Sequence, residues 1–266
     1  MDVPAVSLRR KTCERNDDTV MDKSLAYLDN AVELLTQIRQ TQTDVIDSAV
    51  HMMFDCFQQG GNLFVFGASH AGIIAEEMFY RAGGLMIVNP IFSPTLMLNT
   101  RPTTITSEME RLEGFGSIIL DGSPAKSGDL LIIHSVSGRN SVTIDMALRA
   151  RAKNIRIIVI TNMEYTGKVP SRHSSGKLLY ELGDIVIDNC GVYGDACIEV
   201  GGNGIIAGPT STFSGAVIAN MLSVGFAELC DANGIDPPVY VSANMDVDKT
   251  RTQQLLRENS DRIHYL

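Results

Sequence analysis

Small and hydroxyl-bearing side chains follow an apolar run in the middle of the chain. The run is Leu130–Ile133, the segment SVSGRNS occupies residues 135–141, and a helix-patterned stretch follows over residues 142–148. A strand, a serine- and glycine-rich turn and a helix start form a receptor for an anion, because free N–H groups and the positive end of the helix dipole face the turn. The turn lacks the G-x-x-x-x-G-K-[ST] spacing of a nucleotide P-loop. We therefore expect a small phosphorylated ligand.

A second turn of the same character lies earlier in the chain. Gly67-Ala68-Ser69-His70-Ala71-Gly72 follows the apolar residues Leu63–Phe66. Small residues let a backbone approach a ligand closely, and Ser69 suits a helix cap. The spacing is not the G-x-G-x-x-G of a dinucleotide-binding loop. A third hydroxyl cluster, Thr210-Ser211-Thr212, precedes a long apolar segment and is expected either to complete a ligand cup or only to cap a helix.

Short apolar runs alternate with helix-patterned segments along the chain. The predicted strands are Asn62–Phe66, Leu85–Asn89, Leu130–His134, Ile155–Thr161 and Ile185–Asp188. The predicted helices are a long segment from Leu25 to near Gly60 with a break at Thr41–Thr43, then Ile73–Ala82, Ser107–Phe115, Ser141–Ala152, Phe213–Asn233 and Asp246–Asn259. This alternation predicts a three-layer α/β domain with a parallel sheet covered on both faces. In such sheets ligands bind beyond the carboxyl ends of the strands, where both turns lie.

Length, composition and charge narrow the class of protein. The 266 residues are 44% apolar and 20% charged, which suits one sizeable soluble domain preceded by a poorly ordered tail over residues 1–22. A net charge of −9, with no basic cluster beyond Arg9-Arg10-Lys11, argues against nucleic-acid binding. The apolar runs are far shorter than the ~20 residues of a membrane helix, and the first residues lack a signal-peptide core. We expect a cytoplasmic protein that binds neither nucleic acid nor membrane.

The cysteine pattern indicates neither disulfides nor a metal site. Cys13, Cys56, Cys190, Cys197 and Cys230 include no C-x-x-C pair and no suitably spaced histidines. They are expected to be reduced and mostly buried, and no metal ion or organic cofactor is predicted.

The two turns and a later Thr161-Asn162 pair resemble the motifs of a known family. G-x-S after the first strand, S-x-S-G-x-[ST] after a later one and T-N after the next are similar to the sugar isomerase, or SIS, domain. The resemblance covers most of residues 22–266. Five segments resemble one bacterial subfamily of phosphoheptose-isomerase-like SIS proteins: FGASHAGIIAEEMFYRAGG, SEMERLEGFG, SRHSSGK, GPTSTFSGAVIANMLSVG and PPVYVSANMD. The first loop of that subfamily commonly reads G-x-G-H-S-H; His70 fits its first histidine, and Gly72 replaces the second.

This resemblance implies a flavodoxin-like sheet in a single domain over residues 23–266, with an N-terminal helical arm. It also implies a phosphorylated sugar as the ligand, held by its phosphate in the S-x-S-G-x-[ST] loop. SIS domains usually pair and share sites, so a homodimer or higher homo-oligomer is expected. The residues expected to contact the phosphate or the sugar are Ser69, Ser135, Ser137, Gly138, Asn140, Ser141, Thr210, Ser211 and Thr212.

The family's reactions begin with proton movement beside a carbonyl or during ring opening, which requires a general base and an acid–base partner. Glu77-x-x-x-Arg81 is similar to the E-x-x-x-R spacing of phosphoheptose isomerases, in which the glutamate is a base. An i, i+4 salt bridge is the alternative for this pair. Glu199 is the second candidate base, because residues 203–207, where other SIS enzymes place a glutamate, contain no acid.

Two histidines and two further glutamates complete the candidates for proton transfer. His70 lies within the binding turn, where an imidazole can shuttle a proton or hydrogen-bond a sugar oxygen. His173, in the polar loop SRHSSGK, is expected either to reach a ligand, in its own or a neighbouring subunit, or to be an exposed residue without such a role. Glu110 and Glu113 are further possibilities that a solvated helix face also explains.

We expect the chain to bind a phosphorylated sugar and to isomerise it by an aldose–ketose route, in which a carboxylate abstracts the proton. A lyase, etherase or deglycase reaction on an amino- or ether-substituted sugar phosphate is an alternative, because it begins with a similar proton abstraction. A non-catalytic phosphosugar sensor acting on a partner protein is the third possibility. The segment before the sheet is too small for the helix-turn-helix domain that SIS transcriptional regulators carry.

Overall fold

Five parallel strands form the central sheet in the computed structural model, which describes residues 21–245 and 249–266. The strands are β1 (Leu63–Gly67), β2 (Val88–Pro90), β3 (Leu130–His134), β4 (Arg156–Thr161) and β5 (Ile185–Asp188), in the order β2-β1-β3-β4-β5. This order is the flavodoxin-like arrangement, so the predicted α/β class with a parallel sheet is confirmed. Most of the predicted tail, the Arg9–Lys11 cluster and Cys13 lie outside the described residues.

Helices cover both faces of the sheet because both faces are apolar. Leu63, Val65 and Ile132 point to one face, and Phe64, Phe66 and Ile133 point to the other, as the period of two in a strand requires. The helices are α1 (Met21–Thr41), α2 (Thr43–Gln58), α3 (Ile73–Met78), α4 (Ile105–Met109), α5 (Phe115–Asp121), α6 (Ser141–Ala152), α7 (Met163–Thr166), α8 (Ser211–Ala232) and α9 (Thr250–Glu258).

Different helices pack against the two faces of the sheet. The first face packs against α1, α2, α3 and α8, and the second against α5 and α6. Each fully buried Leu, Ile or Phe side chain in these two cores contributes about 1.5–3 kcal/mol from the removal of apolar surface from water. The sheet edge that carries the two predicted ligand turns is therefore supported from both sides.

Several predicted elements have the observed bounds, and others end earlier. β3, α6 and β5 begin and end where the sequence predicted, and the N-terminal helical segment breaks at Gln42, within the predicted interruption. α3 stops at Met78 instead of Ala82, because Phe79 and Tyr80 leave the helix. Their rings contact the C-terminal segment, with Phe79 4.8 Å from the Tyr265 ring centroid.

Two other segments differ from the prediction. The predicted strand Leu85–Asn89 is shifted: β2 begins at Val88, and Leu85 forms an antiparallel bridge to Val239. Residues before α8, where no strand was predicted, form an antiparallel hairpin of β6 (Ala196–Val200) and β7 (Ile205–Pro209). Much of this hairpin is exposed, and its apolar runs, ACI and IIA, are shorter than the run of about 4–8 residues by which a buried strand is predicted.

Within the described ranges one helix, α8, is long and apolar enough by length and composition to cross a membrane. A core helix of a soluble α/β domain passes the same test. Ile218, Leu222 and Phe226 of α8 are fully buried in the first core.

Candidate functional site

A polar cleft of about 290 Å³ opens at the carboxyl ends of β1 and β3. Both predicted ligand turns line it: Ser69 and His70 follow β1, and Ser135, Ser137 and Asn140 follow β3. The turns meet because β1 and β3 are adjacent parallel strands that end together. The volume is at the lower end of the about 300–1,000 Å³ typical of small-molecule sites, which suits a compact ligand.

The backbone of the turn after β3 presents free N–H groups. The carbonyls of Ser135, Val136 and Gly138 accept hydrogen bonds from later segments, at 2.7, 3.1 and 2.9 Å. The N–H groups of Ser137, Gly138 and Arg139 meet no acceptor among the residues that the structure describes. They precede the first turn of α6, whose dipole adds positive potential. This arrangement favours an anion such as phosphate.

Gly138 occupies a position in this turn that only glycine fits without strain. Its φ is +60°, in the left-handed region that costs other L-residues roughly 1–2 kcal/mol. A Cβ there would lie 2.9 Å from Thr166 Oγ1 and 3.3 Å from Thr161 Oγ1. The S-x-S-G motif therefore requires a glycine here for steric reasons, in addition to the position of this residue beside the anion receptor.

The serine hydroxyls of this turn have two different roles. Within the described part of the chain, the Ser135 and Ser137 hydroxyls have no protein partner, so they add donors to the N–H groups. Ser141 is fully buried, and its Oγ donates to the carbonyl of Arg172 at 3.1 Å. Ser141 thus holds a neighbouring loop and does not line the cleft.

Glu110 supplies a carboxylate to the cleft from the connection between α4 and α5. Its Oε2 accepts a hydrogen bond from Asn140 Nδ2 at 2.7 Å, and its backbone carbonyl accepts one from the N–H of Val142 at 3.0 Å. The other carboxylate oxygen, Oε1, receives no hydrogen bond from the described residues. Two contacts thus fix this side chain beside the phosphate turn and leave one oxygen for a ligand.

The local fold explains why Glu110 faces inward. The predicted helix Ser107–Phe115 is interrupted: α4 ends at Met109, and the N–H of Gly114 donates to Asp145 Oδ2 at 2.6 Å instead of to a helix carbonyl. The predicted continuous helix would have placed Glu110 on a solvated face. The observed position of Glu110 instead depends on the contact between Gly114 and Asp145.

Asp195 is the second carboxylate of the cleft, and it caps α8. Its Oδ1 accepts hydrogen bonds from the N–H groups of Thr210 and Ser211 at 3.1 and 2.8 Å. The hydroxyls of the same two residues donate to its carboxylate at 3.0 and 2.8 Å. The third predicted hydroxyl cluster is thus bonded internally, and neither these two residues nor Thr212 line the cleft.

Arg172 is a cation of the cleft that the sequence did not single out. Its Nη1 donates to Asn140 Oδ1 at 2.9 Å, so the Asn140 amide bridges Arg172 and Glu110. The only sign of Arg172 in the sequence was its positive charge beside His173 in SRHSSGK. Whether that charge reaches the cleft depends on how the loop folds. Tyr165 of α7 also lines the cleft.

His173 anchors the loop that carries Arg172. Its Nε2 lies 3.0 Å from Asp145 Oδ1 and its Nδ1 lies 2.8 Å from Ser175 Oγ. The adjacent Ser174 N–H donates to Glu113 Oε1 at 2.6 Å, and hydrogen bonds from Ser174 lower the pKa of Glu113. His173 and Glu113 therefore hold the loop and lie outside the lining of the cleft.

The two carboxylates first considered as bases lie elsewhere. Glu77 forms the i, i+4 ion pair with Arg81 and accepts a hydrogen bond from Asn220 Nδ2 of α8 at 2.9 Å. Glu199 is on the exposed strand β6. Neither residue lines the cleft. His70 does line it, and its ring forms no hydrogen bond to the described residues.

His134 is a buried imidazole at the end of β3. Its Nδ1 lies 3.0 Å from the carbonyl of Ala71, and its Nε2 has no partner among the described residues. Burial lowers its pKa, an effect that the Ala71 carbonyl and the charge of Asp195 oppose. It supports the first ligand turn from below, as expected for a core residue.

Over residues 21–245 and 249–266, no three His, Cys, Asp or Glu side chains gather in a way that suits a metal ion.

Comparison with known proteins gives a consistent family assignment. A family model described as the SIS domain matches residues 26–162. A UPF0309 protein of Shouchella clausii is 45% identical over 240 residues, which cover 90% of this chain and 98% of the relative.

Two solved structures share the fold at low sequence identity. A phosphoheptose isomerase from Francisella tularensis superposes with a TM-score of 0.53 at 15% identity, over 79% of this chain and all of its own. An Escherichia coli CFT073 protein in complex with A5P superposes with a TM-score of 0.52 at 13% identity, over 82% of this chain and 94% of its own. At these identities the superpositions concern the fold.

Proposed function

The chain belongs to the SIS-domain family, and on that premise we propose that it binds a phosphorylated sugar with the phosphate in the turn Ser135–Ser141. The free N–H groups of Ser137, Gly138 and Arg139 at the start of α6 carry this proposal. They form a preorganised receptor for an anion of phosphate size. The neighbour in complex with A5P and the phosphoheptose isomerase, which share the fold, support the choice of a sugar phosphate.

We further propose that the bound sugar is isomerised between aldose and ketose, with Glu110 as the general base. Glu110 lines the cleft, and its orientation is fixed by Asn140. In the reaction the carboxylate removes a proton from the carbon next to the carbonyl, the electron pair forms an enediol, and the proton returns to the neighbouring carbon. His70, also in the cleft, is positioned to exchange the hydroxyl proton. Glu110 replaces Glu77 and Glu199 in this role because those two residues do not line the cleft.

Binding is tested first. Sugar phosphates of five to seven carbons, A5P among them, should raise the unfolding temperature, because a ligand that binds only the folded chain stabilises it. Ser137→Ala should weaken the effect, whereas Ser117→Ala on α5, outside the cleft, should not. If none of these compounds stabilises the wild-type chain at millimolar concentration, the proposal is wrong.

Turnover is tested with matched isosteric variants. Glu110→Gln should bind the sugar phosphate and lose the solvent-deuterium exchange that enediol formation produces, by about 10²-fold or more. Glu77→Gln should keep this exchange, since Glu77 pairs with Arg81. Proton exchange followed by release of a substituent would indicate lyase chemistry, and binding without any exchange in the wild type would indicate a sensor.

We also propose that a second copy of the chain covers the apolar groove between α2 and α8. The groove has a volume of about 850 Å³ and is lined by Ile46, Val50, Met221 and Val224 among others. Val224 is 65% exposed and Val217 36% exposed on the helix face opposite the buried Ile218, Leu222 and Phe226. The pairing of SIS domains, implied by the resemblance, favours a second copy as the occupant. Val224→Asp should give a monomer in light scattering, and Ile118→Asp, at a position 68% exposed on α5, should not.

A further inference from the structure

One arginine lines the cleft, and the charges of two others act on it. Arg172 lines it and donates from Nη1 to Asn140 Oδ1 at 2.9 Å. Arg139 precedes Asn140, and its carbonyl accepts the N–H of Arg172 at 2.9 Å. Arg111 directly follows Glu110, the carboxylate of the cleft. Arg172 is thus the guanidinium that reaches Asn140, and the charges of Arg139 and Arg111 lie near enough to act on its pKa.

No salt bridge between described residues neutralises these guanidinium groups. None of the three forms a salt bridge with any residue in the described ranges, and the Arg139 Nε is buried without a hydrogen-bond partner there. Partial burial, followed by the charges of Arg139 and Arg111, lowers the pKa of Arg172, and the charge of Glu110 opposes this. Such a concentration of positive charge is notable in a chain whose net charge is −9.

The other acidic side chain of the cleft does not neutralise them. The Asp195 carboxylate accepts hydrogen bonds from Thr210 and Ser211 at the start of α8 and forms no ion pair with the three arginines. Glu110 is the carboxylate whose charge raises the pKa of Arg172 against the larger, lowering effect of burial, and its Oε2 is occupied by Asn140 Nδ2.

The arginines add positive charge to a turn that already holds the donors for one phosphate. Those donors are the N–H groups of Ser137, Gly138 and Arg139 and the serine hydroxyls. Arg172 donates to the Asn140 amide that also orients Glu110, so its cation lies beside both the turn and the carboxylate. A guanidinium presents paired donors that match a carboxylate or a phosphate group.

We infer that the ligand carries a second anionic group, a carboxylate or a second phosphate, which Arg172 binds with Arg111 and Arg139 beside it. This inference rests on the proposed function, because it assumes that the first phosphate occupies the turn after β3. The substrate class is then a phosphorylated sugar acid or a sugar bisphosphate, and Arg172 determines this specificity.

Two matched ligand pairs test the inference by calorimetry with the full chain. Fructose 1,6-bisphosphate is compared with fructose 6-phosphate, and 6-phosphogluconate with glucose 6-phosphate. The doubly anionic member of at least one pair should bind about tenfold or more tightly, and its advantage should decrease as salt is added, since exposed charges are screened. The pair with the larger difference distinguishes a second phosphate from a carboxylate.

Variants assign the effect to the cluster. Arg172→Gln should remove most of the preference and change the affinity for the singly phosphorylated sugar much less. Arg111→Gln, at an exposed position that is tolerant of substitution, should reduce the preference in the same direction. Arg257→Gln on the distant helix α9 is the matched control and should have no effect.

Three results would overturn the inference. Equal affinities within both pairs would refute it while leaving the proposed function intact. A preference that survives both Arg172→Gln and Arg111→Gln would refute the assignment to these residues. Failure of all four compounds to bind would remove the proposed function and the inference together.

Discussion

His173 and Asp145 are joined by a hydrogen bond of 3.0 Å between Nε2 and Oδ1, with each side chain only 9% exposed. The other oxygen of Asp145 accepts the N–H of Gly114 at 2.6 Å. One carboxylate on α6 therefore connects the loop over residues 170–177 to the segment that places Glu110 in the cleft. The pair is a structural link between the cation and the carboxylate of the site.

We expect His173→Asn to lower the free energy of unfolding by about 1–3 kcal/mol, because it leaves the buried Oδ1 of Asp145 without its hydrogen-bond partner. Where the variant is folded, turnover should remain within about tenfold of the wild type, since loss of a true acid–base group costs about 10²–10⁴-fold. Denaturant unfolding and solvent-deuterium exchange measure the two effects. A fully stable variant without turnover would contradict this and support a catalytic His173.

Gly138→Ala should abolish tight phosphosugar binding. The substitution adds left-handed strain of roughly 1–2 kcal/mol and brings a Cβ to 2.9 Å from Thr166 Oγ1, which displaces the N–H groups of the turn. Gly176→Ala is the matched control, because Gly176 also has a positive φ, of +69°, but nothing lies within 4 Å of its added Cβ. Gly176→Ala should lose a similar amount of stability through backbone strain and should keep its affinity for the ligand. Equal ligand affinity in both variants, measured by calorimetry, would contradict the steric argument.

Stability should decrease as the pH falls through the range of a free histidine. Burial holds the pKa of His134 below its ordinary value of 6.5, so the folded chain keeps this imidazole neutral at a pH where the unfolded chain protonates it. Its stabilising contribution is present above about 6.5 and is lost below, with a slope of at most about 1.4 kcal/mol per pH unit.

His134→Asn tests this prediction, because an asparagine amide can still donate to the Ala71 carbonyl but does not titrate. Between pH 7.5 and about pH 5, denaturant unfolding should show a shallower loss of stability in the variant than in the wild type. Parallel curves would show that His134 does not contribute.

Native Cys56 and Cys230 should resist alkylation. Both are fully buried, and burial raises the pKa of each thiol to about 11. At pH 8 only about one in a thousand such thiols is the reactive thiolate. Cys190 and Cys197 are partly exposed and should react first with iodoacetamide, as peptide mass spectrometry can follow. Denaturant should make the four rates similar, and rapid native labelling of Cys56 would be inconsistent with the packing around α2.

Local patterns predicted the anion receptor of the site because its determinants are contiguous. An apolar run bounded by polar residues defines β3, and the hydroxyl-rich turn before a helix-patterned segment defines the start of α6. The order of the strands came from the resemblance to a family. In both cases the relevant residues are adjacent in sequence or carried by a known motif.

The acid–base and charged groups could not be predicted in the same way. Glu110 faces the cleft because Asp145 and Val142 fix the segment around it, and Arg172 reaches Asn140 because His173 anchors its loop. These contacts join residues about thirty positions apart, as with Asn140 and Glu110. The helical spacing that suggested Glu77 instead explains its i, i+4 pair with Arg81.

The Asp195 carboxylate occupies the anion-binding position at the start of α8, and this limits which ligands such a domain can evolve to bind. The carboxylate uses the N–H groups and hydroxyls of Thr210 and Ser211 that an external anion would otherwise meet. A single replacement in the loop, for example Asp195→Gly, would open a second receptor at the margin of the cleft. The number of anionic groups that the domain can bind would thus change through one substitution in this loop, while every strand of the sheet stays the same.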